Sequence, residues 1–183
     1  MKEYSKAARP GLAFLAVAVL SLAPAVASAR SVRDSEEVSG LLAEAKAEAL
    51  QLQKSTEEMN SFEHSRISWQ TQAAQIAEIK RQFNNLGELV IKMNKAEAPS
   101  PWQQQAIREV TPMVEELASY ITMTIYHLGE DPDRLIFTSF PEYVAANAGL
   151  ASEIAQLISD YVEYDKAKQD VEELSFELGF PRS

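Results

Sequence analysis

The sequence predicts an all-α protein, an antiparallel four-helix bundle with one longer crossover before the last helix. Apolar residues recur at three- and four-residue spacing along four long stretches. Short connections between long amphipathic helices favour antiparallel neighbours. The chain has 183 residues, no cysteine and 46% hydrophobic residues, which suits one packed core without disulfides. We predict a signal peptide at 1–29 and one domain at 30–183, with helices near 35–60, 67–96, 101–128 and 141–178.

The first residues carry the pattern of a secretory signal peptide. Lys2, Lys6 and Arg9 give a basic start, an apolar run extends from Gly11 to Ala23, and Ala27-Ser28-Ala29 is a small-residue cleavage site. We therefore expect export to the periplasm or the medium, with cleavage after Ala29. The alternative is an uncleaved anchor, but the run is shorter than the ~20 residues of a spanning helix. No membrane span is expected after cleavage.

The acidic balance limits the classes of partner. The chain has 17 Lys and Arg against 27 Asp and Glu. Without residues 1–29, which hold three basic residues and one acid, 14 basic and 26 acidic residues remain, a net charge of −12. We therefore expect no nucleic-acid partner, because duplex binding depends on basic side chains at the phosphates.

The first predicted helix begins at Asp34 or Ser35, either of which can accept from the backbone N–H groups of the first turn. Glu36 and Glu37 follow, where acids favour the helix dipole. The alanine-rich stripe allows this helix to lie close to its neighbour or partly outside the core. Its apolar face comprises Val38, Leu41, Leu42, Ala45, Ala49, Leu52, Met59 and Phe62.

The second predicted helix follows a weak break at 60–68, which we interpret as a turn, with one continuous long helix as the alternative. Gly87 interrupts its apolar pattern, and a close helix crossing would explain that glycine. Residues at 3-4 spacing predict one buried seam. The seam comprises Trp69, Ile76, Ile79, Phe83, Leu86, Val90 and Met93.

The third predicted helix opens with a capping box. Ser100 is the N-cap, Pro101 is the first helical residue, and Gln103 completes the S-x-x-Q pattern. Trp102, at the helix start, is favoured as a packed staple over an exposed anchor. Pro112 is expected to kink the helix or split it at Thr111.

The fourth predicted helix follows a polar turn and an apolar strap at 135–138. Ser139 with Glu142 resembles another capping box. Asp165 and Lys168 interrupt the apolar stripe, which indicates that the far end overhangs the bundle or shifts phase. Gly179 is typical of a helix C-terminus.

Motifs for catalysis are missing from the sequence. Di-iron bundles need Glu-x-x-His, but Ser61 precedes His64 by three residues and Thr124 precedes His127. Neither the G-x-S-x-G nor the H-E-x-x-H pattern occurs. We therefore predict a non-enzymatic protein with no catalytic residue and no cofactor.

A small-ligand, haem or copper site is the alternative to that prediction. Thioether and imidazole groups suit copper or haem iron, and Met123 and His127 share a helix face. Met113 is the third candidate ligand. The simpler interpretation is that the methionines fill core gaps and that His127 favours a helix C-terminus.

Two stretches carry a family resemblance. Ser68-Trp69-Gln70 with Ser100-Pro101-Trp102-Gln103-Gln104 resembles a pattern in uncharacterised exported bacterial helical-bundle proteins. The stretches 143–148 and 158–162 also resemble sequences in these proteins, so the resemblance spans about residues 60 to 178. It implies export and helical architecture, and it carries no activity or catalytic residue.

The predicted function is interaction with a protein partner or self-association in the cell envelope. An apolar stripe that extends irregularly into the first and last helices needs a partner if one chain does not cover it. A sensing module that acts through a separate partner is a further alternative. The predicted partner-binding residues are Leu41, Leu50, Leu174 and Phe176.

Overall fold

The computed structural model describes residues 33–61, 68–130 and 139–179, which form four helices and contain no strand. The helices are α1 (Glu36–Ser61), α2 (Trp69–Lys95), α3 (Pro101–Glu130) and α4 (Phe140–Glu177). Each bound lies within two residues of its prediction. The predicted signal segment, the connection between α1 and α2, and the crossover and strap before α4 lie outside the described residues.

The four helices form an antiparallel bundle, as predicted. Each helix packs on two others in the ring order α1, α2, α3, α4. Lys168, late in α4, pairs with Asp34 at the start of α1. Gln53, late in α1, donates to Ser152 early in α4. These two contacts show that α1 and α4 run in opposite directions.

Contacts between α3 and α4 show the same reversal. Tyr161 reaches Glu109 near the start of α3, and Asn147 reaches Thr124 near its end. α1 and α3 therefore run parallel across the bundle diagonal, and both begin at one end of the bundle. We call this the α1/α3-start end.

The core runs along the inner faces of all four helices. Alanines are fully buried on α1 (Ala45, Ala49) and on α4 (Ala151, Ala155), so α1 lies inside the core and not partly outside it. Small side chains shorten the distance at which helices pack. Larger buried side chains fill the remaining space, among them Leu42, Leu52, Leu86, Met93, Val110, Leu117, Ile154 and Ile158.

Two expectations for α2 are wrong. Trp69 was predicted in the buried seam, but its side chain is 44% exposed, because burial on α2 begins only at Ile76, two turns further along. A close crossing at Gly87 is also absent, since a Cβ built there meets no other atom within 4 Å. The rest of the seam is buried or packed on the core, as predicted.

α3 continues through Pro112, so the expected split at Thr111 does not occur. Proline in a helix interior leaves the carbonyl four residues earlier without its N–H donor. Pro112 and Arg108 are both on the exposed side of the helix, where water can satisfy that carbonyl.

The predicted ends of α4 have different outcomes. Ser139 is the N-cap, but its side chain makes no capping hydrogen bond, so the predicted box with Glu142 is absent. At the other end, Gly179 has a φ of 74°, the left-handed conformation that favours glycine, as predicted.

Candidate functional site

A fully buried glutamine joins α1 to α3 at the α1/α3-start end. Gln103 Oε1 accepts from the backbone N–H groups of Ser35 and Ser100, both at 2.9 Å. Its Nε2 donates to the Ser35 carbonyl at 2.9 Å and to Ser39 Oγ at 3.2 Å. The amide thus uses its two acceptor and two donor positions. The predicted contact between Gln103 and Ser100 is confirmed, and the contacts to α1 are additional.

Asp34 links the start of α1 to both α3 and α4. Its Oδ1 accepts from Trp102 Nε1 at 2.7 Å, and its Oδ2 accepts from Lys168 Nζ at 2.5 Å. Ser35 is therefore the cap of α1, and its Oγ lies 3.4 Å from the Val38 nitrogen. Trp102 is half-buried against the core, as the staple interpretation predicts.

The ion pair between Asp34 and Lys168 predicts a pH dependence of stability. Partial burial raises the pKa of Asp34, but the hydrogen bonds from Lys168 and Trp102 outweigh burial and hold the pKa below its ordinary 3.8. The hydrogen bond to Asp34 raises the pKa of Lys168 above 10.5. The pair therefore stabilises the fold fully at pH values between the two ordinary pKa values, 3.8 for Asp34 and 10.5 for Lys168. Its contribution is lost as the pH falls through the folded-state pKa of Asp34, or rises through that of Lys168.

We expect Asp34→Asn to lower the free energy of unfolding by about 1 kcal/mol at neutral pH. This difference from the wild type shrinks as the pH falls below 3.8. Urea unfolding across the acid range measures it. In a Lys168→Met background the Asp34→Asn effect should be smaller, and an effect that is equally large and independent of pH would contradict the ion-pair account.

An aromatic cluster surrounds this ion pair. The ring of Trp102 stacks on Tyr161, with centroids 6.4 Å apart, and meets Tyr164 edge-on at 5.4 Å. The Tyr161 hydroxyl donates to Glu109 Oε2 at 2.7 Å. Together these contacts attach α4 to the first turns of α3.

Tyr161 should titrate well above the ordinary tyrosine pKa of 10. Burial, followed by the hydrogen bond to Glu109, raises the pKa of Tyr161 to about 12. We expect a pH-jump titration, followed by tyrosinate absorbance, to show a phase near that value. Tyr161→Phe should remove this phase, and a Tyr161→Phe variant that keeps it would refute the assignment.

α4 is longer than the bundle that it completes. It has 38 residues, whereas the other helices have between 26 and 30. At helical rise this is about 57 Å against at most about 45 Å. No described residue after Asp165 is buried. Residues 169–178, which we call the α4 extension, therefore project past the Lys168 contact, and the predicted overhang is confirmed.

An apolar stripe follows one face of α4 into the extension. Its members lie at alternating spacings of three and four residues, which places them on one side of the helix. The four large ones are between 52% and 71% exposed. This α4 stripe comprises Tyr164, Ala167, Val171, Leu174 and Leu178.

The α4 extension is strongly acidic. It contains Asp170, Glu172, Glu173 and Glu177 and no lysine or arginine. Asp170 and Glu177 directly precede Val171 and Leu178 of the α4 stripe, in the positions that flank a coiled-coil seam. The exposed apolar surface therefore has an acidic border.

The predicted partner-binding residues do not form one surface. Leu174 and Phe176 lie on the extension, although Phe176 is on a different face from Leu174. Leu50 is 45% exposed on α1, and it lies about 30 Å along the bundle from Leu174 by helical rise. Leu41 is partly buried and packs against the core.

The candidate metal ligands all lie on α3, and they are half-buried. Met113 is ten residues from Met123 on one continuous helix, about 15 Å along its axis, so these two cannot reach the same ion. His127 stacks on Tyr143, with centroids 5.3 Å apart, and meets Tyr126 edge-on. The copper alternative therefore depends on Met123 and His127, and it stays a prediction.

Two further features are absent from the part of the chain that the structure describes. No group of three or more His, Asp or Glu there could hold a metal ion. Within the same residues, no helix is long and apolar enough to cross a membrane. No protein-family model, curated protein or solved structure matches the chain.

Proposed function

We propose that this chain is an exported, non-enzymatic interaction module that binds a partner protein through the α4 stripe. The observation that carries the proposal is the exposed run of apolar residues at coiled-coil spacing beyond the bundle. A helix with one apolar face offers the repeating anchors by which helices recognise each other. A sensing role through a separate partner would use the same surface.

The contacts of α4 just before the extension support a role of the stripe in binding a partner and not in stabilising the fold. Lys168 and Tyr164 are held by Asp34 and Trp102, so α4 leaves the bundle in a fixed direction. A surface that is already ordered costs less conformational entropy to bind than a disordered one. The base of the stripe, at Tyr164, is therefore held in place before a partner binds.

The export part of the proposal is supported by the sequence alone. The basic start, the apolar run and the Ala27-Ser28-Ala29 site together specify cleavage after Ala29. Mass spectrometry of protein recovered from the envelope fraction tests it. A chain that begins at Arg30 is expected, and one that retains Met1 would contradict cleavage.

Site-specific photo-crosslinking in the producing cell tests the binding surface. A photoreactive amino acid at Leu174 should form a discrete adduct with a partner protein. The matched control is Ile91 on α2, which is also apolar and 53% exposed but lies outside the stripe. No adduct at Leu174, or the same adduct at both positions, would refute the proposed surface.

A further inference from the structure

We infer that the partner presents a basic amphipathic helix, which packs along the α4 stripe as a short coiled coil with its lysines or arginines against the acidic border. This inference rests on the proposed function, and it adds the chemical class of the partner. The argument depends on the geometry of the stripe, the charges that flank it and the fit of a second copy.

The geometry favours a helix as the occupant. The stripe runs from Tyr164 to Leu178, two heptads of a narrow seam on one continuous helix. A partner helix of the same periodicity can place one apolar side chain between each pair of stripe residues. The described residues give the stripe no enclosing walls, so a small apolar ligand would stay mostly exposed to water.

The charge of the extension selects a basic helix. Four acids and no base lie within residues 169–178. Asp170 and Glu177 lie at the seam-flanking positions, where charged residues determine partner choice in coiled coils. The basic side chains Lys166 and Lys168 lie before the extension, and Lys168 is already paired with Asp34. An acidic or anionic partner would be repelled along the whole extension.

A second copy of this chain fits less well. An antiparallel pair of α4 extensions would place Asp170 and Glu177 of one copy against the same acids of the other. In a parallel pair, Asp170 would face Ser175 of the other copy. Like-charge repulsion therefore opposes the antiparallel pair, and the parallel pair gains no opposite charge at Asp170.

Trp102 provides a reporter for binding at this surface. Its ring contacts Tyr164, the first member of the stripe, so a helix that covers Tyr164 changes the surroundings of Trp102. The chain has only one other tryptophan, Trp69. Trp69→Phe, at a half-exposed position, leaves Trp102 as the single fluorophore.

The test uses the full mature chain with Trp69→Phe and two synthetic probe helices. Both probes have about three heptads with valine and leucine at the seam, and they carry either lysine or glutamate at every flanking position. We expect the lysine probe to shift Trp102 emission and to bind at least tenfold more tightly than the glutamate probe. This preference should decrease at about 1 M salt, where the screening length is near 3 Å.

Three double variants separate the apolar and charged contributions. Val171→Ser with Leu174→Ser should abolish probe binding, while circular dichroism and the unfolding temperature stay at wild-type values. Asp170→Asn with Glu177→Gln should weaken lysine-probe binding about fivefold. Glu58→Gln with Glu153→Gln changes the net charge equally at exposed sites away from the extension, and it should leave binding unchanged.

Several outcomes would overturn the inference. Equal binding of both probes, or equal loss in the two charge variants, would show that local charge does not select the partner. A dimer by light scattering that Leu174→Ser dissociates would identify a second copy as the occupant. If neither probe binds but Leu174 crosslinks to a protein in the cell, the partner class is wrong and the proposed function stands. If Leu174 gives no adduct either, both fail.

Discussion

Replacing Gln103 with alanine is expected to lower the free energy of unfolding by about 3 kcal/mol. The substitution removes four hydrogen bonds at a fully buried position. It leaves the backbone N–H groups of Ser35 and Ser100 without their acceptor, and a buried unsatisfied donor costs about 1–3 kcal/mol. Chemical denaturation followed by circular dichroism measures the change.

The matched control for this variant is Gln105→Ala, two residues along the same helix. Gln105 is exposed, and its side chain donates to Glu109 at the helix surface. Its replacement should change stability by less than about 0.5 kcal/mol. Gln103→Glu should fall between wild type and Gln103→Ala, because a carboxylate keeps the two accepted bonds but donates none to α1. Equal effects of Gln103→Ala and Gln105→Ala would refute the structural role of Gln103.

Replacing Leu117 with alanine is expected to cost about 3 kcal/mol, whereas Leu174→Ala should change stability by less than about 0.5 kcal/mol. Leu117 is fully buried in the middle of α3, so its truncation removes core contacts and leaves a cavity. Leu174 has the same chemistry but is 56% exposed on the extension. The pair therefore compares one substitution inside and outside the core.

Thermal unfolding of the two leucine variants gives the comparison directly. Leu174→Ala should unfold at the same temperature as the wild type, and Leu117→Ala should unfold at a clearly lower temperature. Similar losses for both would mean that the α4 extension packs as part of the core. The stripe would then stabilise the fold, and its proposed role in binding would lose its support.

Periodicity was sufficient to predict the helices because each has a sustained apolar face and most have a local boundary signal. Ser100 and Gln103 predict a helix start from their spacing alone. The link from Gln103 to Ser35 crosses 68 residues of sequence, so no local pattern contains it. Trp69 shows the opposite failure, since it continues the seven-residue pattern but lies before the first buried turn of α2.

The candidate site was predicted in part for a similar reason. Asp165 and Lys168 interrupt the apolar pattern, and this interruption correctly indicated an overhang that includes Leu174. Asp34 was considered only as a helix cap. Its contacts with Trp102 and Lys168 depend on the way that three helix ends meet. Leu41 is a member of the predicted apolar face of α1, whereas Leu50, nine residues later, lies on the opposite side of the helix, and this spacing explains why only Leu50 is exposed.

Hydrogen exchange of the full mature chain, with and without the lysine probe helix, tests the central claim most directly. Amides of residues 171–178 should exchange much faster in the unbound protein than those of the buried turns near Ile154 and Ile158, because helical turns without core contacts open locally. The lysine probe should slow exchange in the α4 extension and leave α2 unchanged. Protection in the unbound protein as strong as that of Ile158, or no change with the probe, would contradict the account.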